Sequence, residues 1–301
     1  MFQEFTILLF LEYCAGVDVI SRASKKEVYL DKTFFMSLEN YQVNAKYVTE
    51  AQYPWVAKIV HSSSEDIPYM CTAICIDDRV FITAARCIYS LKIKHTRVIY
   101  QNVKLPVLTF VLPSIPSKQA FDDIGFIVVQ PANTEPVWKK VALYNKKRTD
   151  DAFQWFADSN FNNYKVIGYA TQKGIHRIKS ADRVFNLTEL TVIINIELCS
   201  KIMTFHDHIT GFRVPCYHSC NADEFIKKDP KCSNYHGVEG GAVVSSDGIL
   251  LGIATWGAYF HKYELPVGFS VVNSNNFYSD FDCAKRIRDS GVNGGYQGIC
   301  G

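Results

Sequence analysis

From about residue 54 to residue 272, short apolar runs of β type alternate with turn-forming clusters. Ala73-Ile74-Cys75-Ile76 and Val80-Phe81-Ile82-Thr83 flank Asp77-Asp78, a pattern that predicts a tight hairpin. Ile124 to Val129 is an almost continuous apolar strand ending at Pro131, and Lys165 to Ala170 and Leu190 to Ile194 predict further strands. Ala242-Val243-Val244 and Ile249 to Thr255 flank Ser246-Asp247-Gly248, a second hairpin signal. Many short strands at regular spacing favour a barrel or sandwich over alternating βαβ units. The period changes only near the end, where Phe277, Phe281, Ala284 and Ile287 are spaced to share one helix face. The polar stretch Tyr144 to Asp151 reads as a connection between two halves, and no internal repeat or low-complexity tract stands out.

Composition narrows this picture. A chain of 301 residues can bury a substantial core, as one large all-β domain or as two smaller packed barrels. Apolar and charged fractions of 48% and 21% are those of a globular protein, not a disordered one. A net charge of +2 argues against nucleic acid or an anionic membrane as the main partner. The basic runs Lys139-Lys140 and Lys146-Lys147-Arg148 read as solvated surface.

The first residues point to export. Phe5-Thr6-Ile7-Leu8-Leu9-Phe10-Leu11 is a short apolar core, followed by the small residues Cys14-Ala15-Gly16. Residues 1–16 therefore read as a cleaved signal peptide, with Glu4 and Glu12 as atypical members. The run is too short to span a bilayer, and no later stretch reaches about 18 apolar residues. Ten cysteines, nine once Cys14 leaves with the leader, are ordinary for a disulfide-stapled secreted chain and many for a cytosolic one. Asn186-Leu187-Thr188 is the only glycosylation sequon, which makes Asn186 a candidate site on an exported protein.

Five stretches then carry chemistry in a fixed order. They are Tyr53-Pro54-Trp55-Val56-Ala57; Cys71 to Cys87, ending in Thr83-Ala84-Ala85-Arg86-Cys87; Asp123-Ile124-Gly125-Phe126; Gly168-Tyr169-Ala170; and Gly237-Val238-Glu239-Gly240-Gly241-Ala242 with Gly252-Ile253-Ala254-Thr255-Trp256-Gly257. In that order they resemble motifs of the trypsin-like (chymotrypsin-fold) serine protease family. The motifs are its first barrel strand, the disulfide-closed loop ending in TAAHC, DIAL, GWG, and GDSGGP with GI-SWG. The fifteen residues between Cys71 and Cys87 also match the family spacing. The resemblance implies an all-β fold of two packed six-stranded antiparallel β-barrels with a C-terminal helix. It places a trypsin-like peptidase-homologue domain at 42–288, with a first barrel at about 42–143, a second at about 161–273 and the end helix at about 276–288. Residues 17–41 form an N-terminal extension without the six-cysteine pattern of a clip-type regulatory domain, and 289–301 form a tail.

The departures from the family pattern fall on its chemistry. In the family a serine attacks the carbonyl, a histidine takes its proton and an aspartate orients the histidine. Carried over, the serine position is Glu239, the histidine position is Arg86 and the aspartate position is Asp123. Arginine stays protonated and offers donors only, so it cannot accept a proton. Glutamate attacking an amide would have to form an anhydride with an amine leaving group that nothing protonates. The resemblance also implies a lost activation switch: no Lys or Arg lies between Thr33 and Asn44, and the aspartate that pairs the new N-terminus is Val238. An apolar Val238 cannot hold a buried ammonium. Gly237, Gly240 and Gly241 read as kept for backbone geometry, not for anion binding. The specificity-pocket base falls near Asp229-Pro230, and no substrate preference is assigned. A buried, unpaired Asp123 would be costly, so an Asp123–Arg86–Glu239 ionic cluster is expected in place of the triad.

By the same resemblance Cys71–Cys87 is a disulfide, and Cys199–Cys216 matches a bridge of the second barrel. The family cysteine after Trp256-Gly257 is absent, which leaves Cys232 to pair with its sequence neighbour Cys220. Cys283–Cys300 would tie the tail to the end helix, and Cys75 remains as a buried free thiol. His206-Asp207-His208, His218 and His236 lack the spacing of a zinc site and read as surface loop residues, so no metal and no cofactor are expected. The expected function is that of a secreted, non-catalytic serine protease homologue. It would bind other extracellular proteins, including active proteases or their substrates. The role would be that of cofactor, decoy or regulator in a protease cascade or an immune or reproductive fluid. Two alternatives remain: a hydrolase of altered mechanism using Asp123 or Glu239, and a carbohydrate- or pattern-binding module.

Overall fold

The computed structural model of the chain describes residues 45–61, 69–89, 91–113, 123–143, 164–170, 186–194, 216–218, 239–256, 259–260, 263–264, 267–272 and 275–291. Residues 1–16, expected as a signal peptide, the expected extension 17–41 and the 144–151 stretch lie outside these residues. So do Cys199, Cys220, Cys232, Cys300, Gly237, Val238, Asp229, Pro230, His206, His208 and His236.

The first half is a closed barrel. After a short strand β1 (Ala45–Tyr47), its members are β2 (Val56–His61), β3 (Tyr69–Asp77), β4 (Val80–Ala84), β5 (Thr96–Tyr100), β6 (Val103–Val111) and β7 (Ile124–Val129). They close in the order β2-β3-β4-β7-β6-β5, every pair antiparallel. β5 alternates buried and partly exposed residues, as one wet face requires, whereas β4 and β7 are buried at every position. The β3–β4 turn lies one residue later than the apolar pattern predicts. Asp77 ends β3, and Asp78 and Arg79 make the corner, with Arg79 at φ 60°. The strand runs on because the Asp77 carboxylate has salt-bridge partners beyond the hairpin: Lys140 at 2.7 Å and Arg288 at 2.8 Å.

The second half begins after β8 (Ala142–Leu143). Its strands are β9 (Tyr164–Ala170), β10 (Asn186–Ile194), β11 (Cys216–His218), β12 (Ala242–Val244), β13 (Ile249–Trp256) and β16 (Val267–Val271), with a small ribbon of β14 (Tyr259–Phe260) and β15 (Tyr263–Glu264). The antiparallel pairings run β10-β11-β16-β13-β12-β9 and return from β9 to β10, so six strands form a ring. β1 joins this ring by pairing with β10, and β8 adds to β13 in parallel. The β12–β13 hairpin turns where the sequence predicts, with Gly248 at φ 77°.

The chain then returns to the first half. Helix α1 (Asn275–Ser290) buries Phe277, Phe281, Ala284 and Ile287, the face predicted from spacing. Its aromatic residues meet Phe126 of β7, with ring centroids 5.6 Å apart for Phe277 and 6.0 Å for Phe281. Inside the barrel Tyr100 stacks on Trp138 at 5.5 Å, and Phe81 meets both edge-on. Among the described residues no helix is long and apolar enough to cross a membrane. Truncating the fully buried Phe126 to Ala should cost about 3–5 kcal/mol. Because Phe126 anchors α1, urea unfolding should show the lost stability and limited proteolysis should cut the helix first. A loss under 1 kcal/mol would mean that α1 holds its place without this contact.

Candidate functional site

The positions carrying the family resemblance converge on the seam between the halves. β4 ends at Ala84, and a single helical turn, Ala85–Cys87, carries Arg86 outward while Ala85 and Cys87 stay buried. Two ties hold this turn. Cys87 is disulfide-bonded to Cys71 of β3 across a sequence separation of 16, a loop whose closure is worth about 3 kcal/mol. The Ala85 amide also donates to the Asp123 carbonyl at 3.0 Å. Asp123 immediately precedes β7, and its own amide donates to Ser270 Oγ of β16 at 3.0 Å, linking the first barrel to the second.

Arg86 and Asp123 meet as the sequence suggests. The Arg86 backbone amide donates to Asp123 Oδ1 at 2.9 Å, and its Nε donates to Oδ2. The side chains differ in exposure, 46% for Arg86 against 13% for Asp123, so the pair puts a half-wet cation over a nearly dry anion. Burial raises the Asp123 carboxyl above its ordinary 3.8, and the Arg86 charge and donated hydrogen bonds pull it part of the way back.

Glu239 does not complete the expected three-membered cluster. Arg86 forms its ion pair with Asp123, and no ion pair joins Arg86 to Glu239. Two constraints account for the difference. The guanidinium Nε is committed to the drier carboxylate, and the Glu239 backbone is fixed because its carbonyl accepts from the Thr72 amide at 3.0 Å. Burial pushes the Glu239 carboxyl up, opposed by its own backbone amide and by the more distant Arg86 charge.

The turn at Glu239 and Gly240 threads a tight passage. Gly240 has φ +79°, and a Cβ there would lie 2.0 Å from the Thr72 carbonyl oxygen and 2.4 Å from Thr83 Oγ1. Its amide donates to the Ala254 carbonyl at 2.8 Å, and the Ala254 amide returns to Gly241 at 2.9 Å. Backbone geometry alone thus demands the glycine.

Of the remaining candidates, Cys75 is a buried free thiol pushed up to about 12, chiefly by burial. That shift keeps it a poor nucleophile. Cys283 is buried in α1 and disulfide-bonded, its partner lying outside the described side chains. Asn186 is exposed at the start of β10, and Cys216 and His218 lie on β11. Among the described residues no three His, Cys, Asp or Glu side chains gather to hold a metal ion.

One polar cluster escaped the sequence reading. Glu189 of β10 is 5% exposed and accepts from Tyr53 Oη, with Lys46 and Lys165 each at 3.2 Å. Burial alone would raise its carboxyl, but these donors outweigh burial and hold it below the usual range. The register pairing of Lys46 with Glu189 would have revealed the contact, but nothing in the linear pattern announces that register.

Fold and site define a double-barrel chain of trypsin type. The Trypsin family model matches residues 42–154, which covers the first barrel, and the fold of the chain is that of the trypsin-like serine proteases. Solved structures similar to it include the VesB protease of Vibrio cholerae, at 16% identity and TM-score 0.54 over 79% of this chain and 66% of that one. The scabies mite inactivated protease paralogue S-D1 aligns at 16% identity and TM-score 0.57 over 81% of this chain and 97% of its own. Neuropsin, a serine protease of mouse brain, aligns at 17% and 0.51 over 79% and 99%. No curated protein sequence matches the chain.

Two predictions follow from the seam. Gly240→Ala should cost about 2–5 kcal/mol, the sum of left-handed strain and overlap with backbone. Gly248→Ala, at φ +77° with nothing within 4 Å, should cost only about 1 kcal/mol in the same urea titration. Equal losses would show that the close approach at Thr72 relaxes freely. Arg86→Gln should raise the Asp123 carboxyl further and destabilise by about 1–3 kcal/mol at neutral pH, the exposed half of the pair limiting the effect. A carboxyl raised in the folded state binds its proton more readily there than in the unfolded chain. The deficit of Arg86→Gln should therefore shrink as pH falls toward the ordinary aspartate value, and a deficit constant between pH 7 and pH 4 would contradict this.

Proposed function

We propose that this chain is an exported, non-catalytic trypsin-family protein whose work is to bind other extracellular proteins. The observation that carries the reading is the Arg86–Asp123 pair. Where the family resemblance places a proton acceptor, the chain has a guanidinium that only donates; its Nε takes one oxygen of the adjacent carboxylate and the Arg86 backbone amide takes the other. An aspartate so engaged has no base left to orient. Glu239, at the nucleophile position, offers a carboxyl whose attack on an amide would have to expel an amine that nothing protonates.

Two further facts support the reading. The scabies mite neighbour is named as an inactivated protease paralogue, so a chain of this fold carries that description. Export is supported by the leader-like residues 5–11 and by the Cys71–Cys87 disulfide, a bond that persists in oxidising compartments. Partners would then be active proteases or their substrates, met as a cofactor, decoy or regulator in an extracellular cascade or an immune or reproductive fluid.

The full-length exported protein should turn over no member of a broad peptide and ester library. The double variant Arg86→His, Glu239→Ser should stay equally silent, because Val238 still leaves a new N-terminus without its acidic partner. Turnover by the native chain would overturn the reading, and turnover by the double variant would overturn the part given to Val238. Co-purification from the native fluid would identify the partner.

A further inference from the structure

A groove of about 840 Å³ opens on the first barrel, and none of its lining residues belongs to the Arg86–Asp123–Glu239 site. The floor is apolar: Val107 is buried, Pro106 and Phe110 of β6 are partly exposed, and Ile93 is 40% exposed. The rim is cationic. Lys92 and Lys94 stand exposed, the first capping and the second within the turn Ile93–His95, and Arg97 of β5 faces Pro106 across the β5–β6 pairing. Arg97 Nη1 donates to the Lys94 carbonyl at 3.0 Å and to that of Thr96 at 2.7 Å, which fixes the turn against the strand.

This charge is not neutralised locally. Among the described residues no carboxylate forms an ion pair with Lys92, Lys94 or Arg97. The sequence explains why: from Arg79 through Phe121 there are seven Lys and Arg residues and no Asp or Glu. The whole chain, by contrast, holds 32 basic and 30 acidic residues, so the imbalance is local to this half-barrel. The neighbouring His95 registers the field: burial first, then the charges of Lys94, His61, Lys92 and Arg97, hold its imidazole below the usual value. Crowded like charges repel one another, and an exposed apolar floor gains nothing from water. A ligand that relieves both must be anionic and apolar together.

We propose that this groove docks an acidic, extended peptide segment of a partner protein. Its carboxylates would meet Lys92, Lys94 and Arg97, and an apolar side chain between them would seat over Ile93 and Phe110. A sulfated glycan would answer the cations but leave the apolar floor uncovered. The inference gives a partner chemistry to the binding role proposed above and rests on that reading for its use by the protein.

The test uses the full exported chain and a fluorescein-labelled peptide of glutamates around one phenylalanine, followed by anisotropy. Binding should be saturable and weaken with added salt, since exposed charges are screened within about 8 Å at physiological ionic strength. Lys92→Glu with Lys94→Glu should weaken it about tenfold or more. Ile93→Ser, a change at an exposed position that leaves the barrel folded, should weaken it about threefold to tenfold at constant salt. No binding by the native chain, or no response to the charge reversal, would overturn the proposal. Heparin binding more tightly than the peptide, with Ile93→Ser without effect, would overturn it in favour of a polyanion surface. Mass spectrometry of the recovered peptide separates the two readings: cleavage would sink the non-catalytic role and leave the groove assignment standing.

Discussion

Thr72 holds the two halves of this protein together through two of its own atoms, while a third braces it within the first barrel. The residue is fully buried in β3 of the first barrel. Its amide donates to the Glu239 carbonyl at 3.0 Å, its hydroxyl accepts from the Tyr169 amide of β9 at 2.9 Å, and its carbonyl accepts from the Thr83 hydroxyl at 2.7 Å. A buried polar group left unpaired costs about 1–3 kcal/mol, so the bonds to Glu239 and Tyr169 fix the register of one barrel on the other. They also leave no volume for a side chain at Gly240. The turn that presents Glu239 is therefore set by the packing of the scaffold.

Charge is managed by the same logic at three joints. Asp123 stands where the first barrel meets Ser270 of the second, Glu189 where β1 and the Tyr53 loop meet β10, and Asp77 where the β3–β4 hairpin meets α1. Each carboxylate is at least partly buried, and each is answered by cations, two of them in the cases of Asp77 and Glu189. Such pairs add little net stability, because desolvation consumes most of the Coulomb gain. Their removal is expensive, however, so they penalise any docking in which the parts sit differently. Arg86 belongs to this set. Whatever else stands at residue 86, a buried Asp123 needs a donor there, and a permanently charged one satisfies it at every physiological pH.

Much of this was legible in the sequence, for identifiable reasons. The strands at Ile124–Val129 and Ala242–Val244, the second hairpin and the buried face of α1 all follow from local periodicity, which reports burial directly. The Arg86–Asp123 contact was legible because the order of motifs brings both residues to one seam. The Asp78–Arg79 corner was missed by one residue because Asp77 is held in the strand by Lys140 and Arg288, which lie 63 and 211 positions away. Glu189 was missed for a like reason: an acidic residue in an alternating strand looks exposed until its cross-strand register is known. The absence of an Arg86–Glu239 ion pair depends on hydrogen bonds that fix the Glu239 backbone, which residue types do not encode.

The separation between scaffold and surface bears on how such a chain acquires partners. The residues that lock the barrels, Thr72, Thr83, Gly240 and Ala254, have no member in the basic groove. The groove's Lys92, Ile93 and Lys94 are exposed, and substitutions at exposed positions away from caps and buried networks usually change stability by under about 0.5 kcal/mol. The turn they occupy can therefore change its chemistry almost independently of the fold. Near the seam the reverse holds: Asp123 and Glu239 each make a hydrogen bond that crosses from one barrel to the other, Asp123 to Ser270 and Glu239 from Thr72. A binding surface on this molecule is thus cheaper to tune on the β5–β6 side than in the inter-barrel cleft, where each substitution is also a test of the fold.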